Sequence, residues 1–370
     1  MASTEDLSPR RLAWLRFKRH RLAVYSGVFL LLLYFFTGIC EFISPYTPTD
    51  RNARAINAPP MEIHFFDEQG EFHFRPFVYG LQMTINEDTW MREYSEDPTT
   101  RYQLSFFVQG EPYELFGFIP SDTHLFGISK DSASQGYVHL FGTDSLGRDL
   151  FSRILYGGRV SLSIGLVGVV LTLFLGVLLG GFAGYLGGLV DSFVQRTIEV
   201  LQSMPTLPLW MALSAALPAV WSPLTAYFGV TIILSLFGWT TLARQVRGRF
   251  LAMRDDDFVV AARMMGASDT RIVFRHMLPS FVSHIITTAT LAVPAMILGE
   301  TALSFLGIGL RAPVVSWGVL LQQAQNYQVI VMTPWLLLPG LFIVLTVIAF
   351  NLLGDGLRDA ADPYNQQRST

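Results

Sequence analysis

The sequence predicts an all-α polytopic membrane protein of six transmembrane helices, with a β-containing insert between the first two. Two observations carry this. Of 370 residues, 51% are hydrophobic and only 15% are charged, and mean hydropathy is positive, which is too apolar for an ordinary soluble domain. The chain also contains six mostly apolar runs close to the ~20 residues that cross a bilayer core. These are Leu22 to Phe42, Ser161 to Leu186, Val200 to Leu217, Leu224 to Leu242, Phe281 to Leu303 and Thr333 to Leu353.

The first run follows a basic leader, residues 1–21, with Arg10, Arg11, Arg16, Lys18, Arg19 and Arg21. No small-residue cleavage pattern follows the run, and Glu41 comes directly after Cys40, so residues 22–42 read as a retained first helix rather than a signal peptide. Cys40 is the single cysteine, which excludes an intrachain disulfide framework and a cysteine metal cluster.

Residues 44–160 form the insert, acidic and aromatic. Glu71 to Tyr79 and Tyr102 to Val108 mix aromatic and β-branched residues as strands do. Gln109 to Pro112 predicts a turn before Tyr113 to Ile119, giving at least one hairpin. The insert ends in FGTDSLGRDLFSRILYGGRVS, Phe141 to Ser161. There Asp144 or Ser145 is placed to cap a helix, with Leu150, Ile154 and Leu155 as an apolar stripe opposed by Arg148 and Arg153. The pattern predicts an amphipathic helix on the bilayer surface.

Residues 161–354 hold the other five spans. Val200 to Leu242 carries no charge, but Pro218 and Pro223 divide it in two. Met204-Pro205 and Pro208 predict a kink in the third span. Ala312 to Met332 is uncharged yet holds Gln322, Gln323, Gln325, Asn326 and Gln328, so it is expected as a short amphipathic or re-entrant piece. The second span is rich in glycine, from Gly165 to Gly188, which lets helices pack closely in lipid.

Lysine and arginine near span ends collect on the cytoplasmic side. Six alternating spans put the leader on the same side as residues 244–280, which hold Arg244, Arg247, Arg249, Arg254, Arg263, Arg271 and Arg275. Both termini, including the tail 355–370, are therefore expected in the cytoplasm, and the insert outside. The net charge of −3 gives no basic surface for nucleic acid.

Within residues 244–280, a helix ending near Gly266, where free φ helps the turn, precedes Ser268 or Asp269 as cap of a second short helix. Ala261, Ala262, Gly266 and Ala267 are small and allow close approach to a partner groove. Arg263, Arg271 and Arg275 are placed to pair with acidic groups or lipid phosphates. Glu300 is an ionisable residue in a span, a functional hypothesis by default; it lines a translocation path or locks helices by a hydrogen bond. His284 reads as a packed or interfacial histidine.

Four stretches carry a resemblance: GTDSLGRDLFSRILYGGRVSL from Gly142, AARMMGASDTRIVFRHMLPS from Ala261, ILGETALSFLGIGL from Ile297 and DGLRDAADP from Asp355. In this order they resemble the permease subunits of ABC importers, in the dipeptide/oligopeptide (nickel) branch and of the "C" type. The resemblance implies the type I ABC importer permease fold in a bacterial plasma (inner) membrane. It implies a second permease as heterodimer partner, two cytoplasmic ABC ATPases and an extracytoplasmic solute-binding protein. The stretch from Ala261 resembles the loop that plugs into the ATPase, and Ala261, Ala262, Gly266, Ala267, Ser268, Arg271, His276, Leu278 and Pro279 are carried over as that coupling loop. Val260 stands where the general pattern has glutamate, and the insert is longer than in the simplest peptide permeases.

The chain has no G-x-x-x-x-G-K-[ST] loop, so ATP hydrolysis is expected on separate subunits. No catalytic residue, metal site or cofactor is expected. Peptide is the expected solute, with oligosaccharide or nickel as alternatives; no His or Cys cluster marks a metal path. An ion-coupled carrier would show paired carboxylates at mid-bilayer and internal repeats. A membrane sensor would need a cytoplasmic output domain, and only Gly354 to Thr370 follow the last span.

Overall fold

The computed structural model describes residues 9–361 apart from 86, 88, 89, 91, 129–135 and 219. The start of the leader and the end of the tail lie outside the described residues. Contacts divide the chain into two units, one of Leu32–Ser161 and Arg311–Phe342, the other of Met1–Leu31, Leu162–Leu310 and Ile343–Thr370.

The chain opens with α1 (Pro9–Arg19), α2 (Arg21–Gly38) and α3 (Cys40–Ile43). Strands β1 (His64–Phe66), β2 (Phe72–Ile85), β3 (Arg92–Leu115) and β4 (Ile119–Ile128) form an antiparallel meander in sequence order. The turn expected at Gln109–Pro112 is instead a register shift inside β3. Gly110 there lies under the His124 ring, where a Cβ would come within 2.3 Å of it. The hairpin reverses at Phe116–Phe118, around Gly117 with φ of 79°. His124 of β4 is buried between two carbonyls, its Nδ1 2.5 Å from Ser44 O and its Nε2 3.0 Å from Glu111 O. Met61, Val78, Leu104 and Val138 form the small core beneath the strands.

Helix α4 runs without a break from Leu150 to Leu186, 37 residues or about 55 Å at 1.5 Å per residue. The expected surface helix is therefore the first turns of this helix. Its N-terminal cap is Asp149, whose carboxylate accepts from Ser152 N at 2.7 Å, where Asp144 or Ser145 was expected. The expected polar face also differs, because Arg153 is buried. In this unit the indole of Trp317 donates to Ile154 O at 3.0 Å. Gly158 makes room for it, since a Cβ there would lie 3.0 Å from the ring and 2.7 Å from Thr37.

In the other unit follow α5 (Gly188–Ser203), α6 (Thr206–Ala215), α7 (Pro223–Met253), α8 (Asp257–Met264), α9 (Asp269–Arg271) and α10 (Val282–Phe305). Helices α11 (Trp317–Gln322) and α12 (Tyr327–Met332) are the short pieces expected in the glutamine-rich segment, and α13 (Leu338–Ala361) closes the chain. Among the described residues, five helices are long and apolar enough to cross a membrane. They match five of the six expected spans. The remaining run, Val200–Leu217, is divided at Met204-Pro205: Pro205 has no N–H to continue α5, and α6 beyond it has only 10 residues.

Glycines of α4 set its packing on α7. A Cβ at Gly176 would lie 2.8 Å from Leu242, at Gly180 2.3 Å from Ala243 O, and at Gly184 2.6 Å from Arg247 O. This four-residue spacing of small residues is the pattern that brings helix backbones together in lipid.

Candidate functional site

Helix α8 ends in a complete Schellman turn. Gly266, with φ of 76°, donates to Arg263 O at 3.0 Å, and Ala267 donates to Ala262 O at 3.1 Å; these are the two bonds that define the motif. A Cβ on Gly266 would meet nothing within 4 Å, so glycine is needed here for its backbone angle rather than for space. Ser268 occupies the cap position of α9, but its side chain makes no capping bond, and Ile272 N instead bonds the Ser268 carbonyl at 2.9 Å. The chain then tightens through a π turn, Ile272–Met277, and a 3-10 turn, Leu278–Phe281, into α10.

The result is a two-helix knob with its own core. Val259, Ala262, Ile272, Val273 and Met277 pack with Tyr185 of α4 and Leu242, Val246, Phe250 and Met253 of α7, with Ala267 and Leu278 at the edge. Ala262 therefore faces this core and is unavailable to a partner, whereas Ala261, Gly266, Ser268, Arg271 and Pro279 are exposed and His276 is half-buried. Sequence reasoning missed the two most protruding apolar side chains. Met264 is 86% exposed and Met265 79%. Their adjacency at a helix end just before a turn glycine was the available signal.

Polar contacts hold the knob on its base. Tyr185 donates its hydroxyl to Asp269 Oδ1 at 3.2 Å, and the Arg263 guanidinium lies 5.4 Å from the same ring, within cation–π range. Asp191 of α5 pairs with Arg247 of α7 through two bonds, one of them 2.6 Å from Nη2 to Oδ2.

Two cavities lie beside the knob in the same unit. One, of about 900 Å³, is lined by α4, α7, α10, the turn before α10, and Arg358 of α13. The second, of about 540 Å³, includes Gln202, Trp210 and Phe237 and shares Thr172, Gly238, Thr241 and Ala292 with the first. His284 lines the larger cavity with its Nε2 3.4 Å from Gln245 Oε1. Leu173, Leu242 and Phe281 belong to both the cavity wall and the knob core.

Glu300 lines neither cavity. It is 0% exposed and accepts the Ser304 hydroxyl at 2.7 Å, while Ser304 Oγ accepts from Leu310 N at 3.0 Å. The carboxylate thus fastens the turn that ends α10.

In the other unit a polar cluster precedes α4. Asp144 accepts from Leu146 N and Arg148 N at 2.8 and 3.0 Å, from Arg148 Nε at 2.8 Å, and from Arg153 Nη1. Burial pushes its carboxyl up, but Arg153 and Arg148 together outweigh that and hold it below the ordinary carboxylate range. Asp149 adds a 3.0 Å contact to His139 Nδ1, and Glu41 pairs with Arg159.

Two family models match the chain, one at its start and one over its second half. Residues 8–60 match the N-terminal TM domain of oligopeptide transport permease C. The Bacillus subtilis oligopeptide transport system permease protein OppC is 37% identical over 244 residues, covering 66% of this chain and 76% of that one. The Bacillus subtilis dipeptide transport system permease protein DppC is 42% identical over 228 residues, 61% of this chain and 68% of its own. OppC of Haemophilus influenzae is 37% identical over 264 residues, 71% and 82%. Residues 176–365, which contain the knob and the cavity linings apart from Thr172 and Leu173 of α4, match the binding-protein-dependent transport system inner membrane component, and the chain belongs to that family as a multi-pass inner membrane protein.

Proposed function

We propose that this chain is the C-type permease subunit of an ATP-driven importer of oligopeptides or dipeptides. It pairs with a second permease, receives solute from an extracytoplasmic binding protein and is driven by two cytoplasmic ATPases. With the segment through α5 and α6 taken as the third crossing, residues 1–21, 244–280 and 355–370 face the cytoplasm, and 44–160 face outward. The peptide assignment is supported by the relatives above, which are oligopeptide and dipeptide permeases by name.

One observation supports coupling at the knob: its core and the cavity wall share side chains. Leu242, Leu173 and Phe281 touch both. In this reading Met264 and Met265 are anchors in an apolar groove of the ATPase, and Ala261, Arg271, His276 and Pro279 surround them. ATP-driven approach of the ATPases displaces the knob, and close packing passes the displacement to α4, α7 and the start of α10, because packed interiors shift rather than compress. The cavity changes access only if the ATPases contact the knob differently in their two states.

The test is reconstitution with the neighbouring permease, ATPases and binding protein, measuring ATP-dependent uptake of labelled tripeptide. Met264→Asp/Met265→Asp is expected to abolish co-purification of the ATPase while the permease pair remains intact. Retention of the ATPase by this variant would refute coupling through the knob, and uptake of oligosaccharide but not peptide would refute the substrate.

A further inference from the structure

The larger cavity has an uneven charge. Its ionisable lining residues are Arg249, His284 and Arg358, with no aspartate or glutamate among the lining residues. Neither arginine has an ion pair among the described residues. Asp355 and Asp359 share α13 with Arg358 but do not line the cavity. Arg249 of α7, His284 of α10 and Arg358 of α13 thus line one cavity without a carboxylate. Cations that share a cavity repel one another, and an anion between them relieves the repulsion.

The opposite end of the cavity is neutral. There Thr172, Gly238 and Ala292 form the wall, and the Thr172 hydroxyl is buried with no hydrogen-bond partner among the described residues. A buried polar group left unpaired is costly; Thr241, Thr287 and Thr288 add hydroxyl-bearing side chains to the lining. From Gly238 to Arg249 the wall follows α7 for about 16 Å, the length of an extended peptide of about four residues. The volume of about 900 Å³ falls within the range of about 300–1,000 Å³ usual for small-ligand sites.

We propose that this cavity is a carboxylate-binding station on the transport path, in which Arg249 and Arg358 hold the free C-terminal carboxylate of a short peptide and the hydroxyl-lined end holds its backbone. The inference rests on the peptide reading above and adds to it a direction and a selectivity. The peptide lies with its C-terminus toward the end that bears Arg249 and Arg358, and the permease itself discriminates free acids from capped peptides. Guanidinium groups suit this role because their fork matches a carboxylate with two parallel bonds.

The experiment is uptake of trialanine and of trialanine C-terminal amide by the complete reconstituted complex, in wild type and in Arg249→Gln/Arg358→Gln. Comparing variant with wild type for each peptide cancels the binding protein's own preference. Free-acid uptake at subsaturating peptide is expected to fall about tenfold, and amide uptake less than twofold. An equal change for both peptides, or none, overturns the inference while wild-type peptide uptake upholds the underlying function. Failure of the wild type to take up either peptide removes both.

A second measurement does not depend on the arginine variant folding. With Cys40→Ala and Thr288→Cys, the introduced thiol lies in the cavity wall, and trialanine is expected to slow its alkylation while the amide does not. Equal protection by both overturns the inference. The same assays in phosphatidylcholine vesicles with and without phosphatidylglycerol separate a peptide carboxylate from a lipid phosphate. An arginine effect that follows the anionic lipid rather than the peptide terminus identifies a headgroup site and overturns the proposal.

Discussion

Asp144 and Arg153, nine residues apart, are sealed together inside the protein, with 0% and 2% of their side chains exposed. Removing one partner leaves the other charge buried and alone, which costs about 3–5 kcal/mol. Asp144→Ala is therefore expected to destabilise the purified protein by that amount in chemical denaturation. Asp144→Leu/Arg153→Met, which removes both charges, is expected to recover most of it. A loss below about 0.5 kcal/mol for Asp144→Ala would show that the pair contributes little.

Asp67 sets an acid limit on the β-sheet. Hydrogen bonds from His73 and from the Glu71 amide, with Arg101, hold its carboxyl at about 2. A depressed folded value contributes stability above the unfolded carboxylate value and loses it as pH falls through the folded one. Protection of β1 and β2 amides from hydrogen exchange should then decline between about pH 4 and pH 2. Asp67→Asn should already lack that contribution at neutral pH and show a flatter acid limb.

Two glycines on facing helices should respond oppositely to alanine. At Gly180 a Cβ would strike the backbone of α7 at Ala243, and overpacking of this kind costs about 1–3 kcal/mol. At Gly248 nothing lies within 4 Å, so alanine should stabilise α7 by about 0.5–1 kcal/mol through its better helix propensity. Thermal unfolding in one detergent compares the two directly.

Gly266→Ala forces a β-carbon into the left-handed region, at a cost of about 1–2 kcal/mol. Because the surrounding space is open, the expected result is a distorted turn rather than a clash. Gly266→Asn should be milder than Gly266→Ala, since asparagine visits that region more readily. ATPase affinity measured across Gly, Asn and Ala should fall in that order; equal affinity would mean that the turn's geometry does not matter for docking.

Glu300→Gln keeps an oxygen to accept the Ser304 hydroxyl and should leave uptake within about twofold, because that neutral bond is worth only about 1 kcal/mol. Glu300→Leu leaves the Ser304 contact unmade and should destabilise the end of α10 by about 1–3 kcal/mol. A large transport loss in the Gln variant with unchanged stability would move Glu300 from the lock to the path.

The spans were legible because lipid imposes a length and a polarity that composition reveals directly. The turn at Gly266 was legible because it depends on one residue with unusual backbone chemistry, whereas Met204-Pro205 read as a kink inside a span and is a break between two helices. What depended on tertiary contact was not legible. Arg153 reads as half of a polar stripe, and only Asp144, folded back from before the helix, makes its burial tolerable. Ala262 and Ala261 are indistinguishable in sequence, yet helical phase turns one to the core and leaves the other outside. Gln109–Pro112 has turn composition, but β3 continues through it with a shift of register, and Gly110 leaves room there for the His124 ring.

Helix α6, with 10 residues, is about 15 Å long against a hydrocarbon layer of about 30 Å. The chain on either side of it, at Met204-Pro205 and around Pro218, is irregular and cannot present bare peptide groups to acyl chains. That flank must be shielded by polypeptide or water, so lipid wets the molecule unevenly, and the side bearing α6 is the one a bilayer alone cannot solvate.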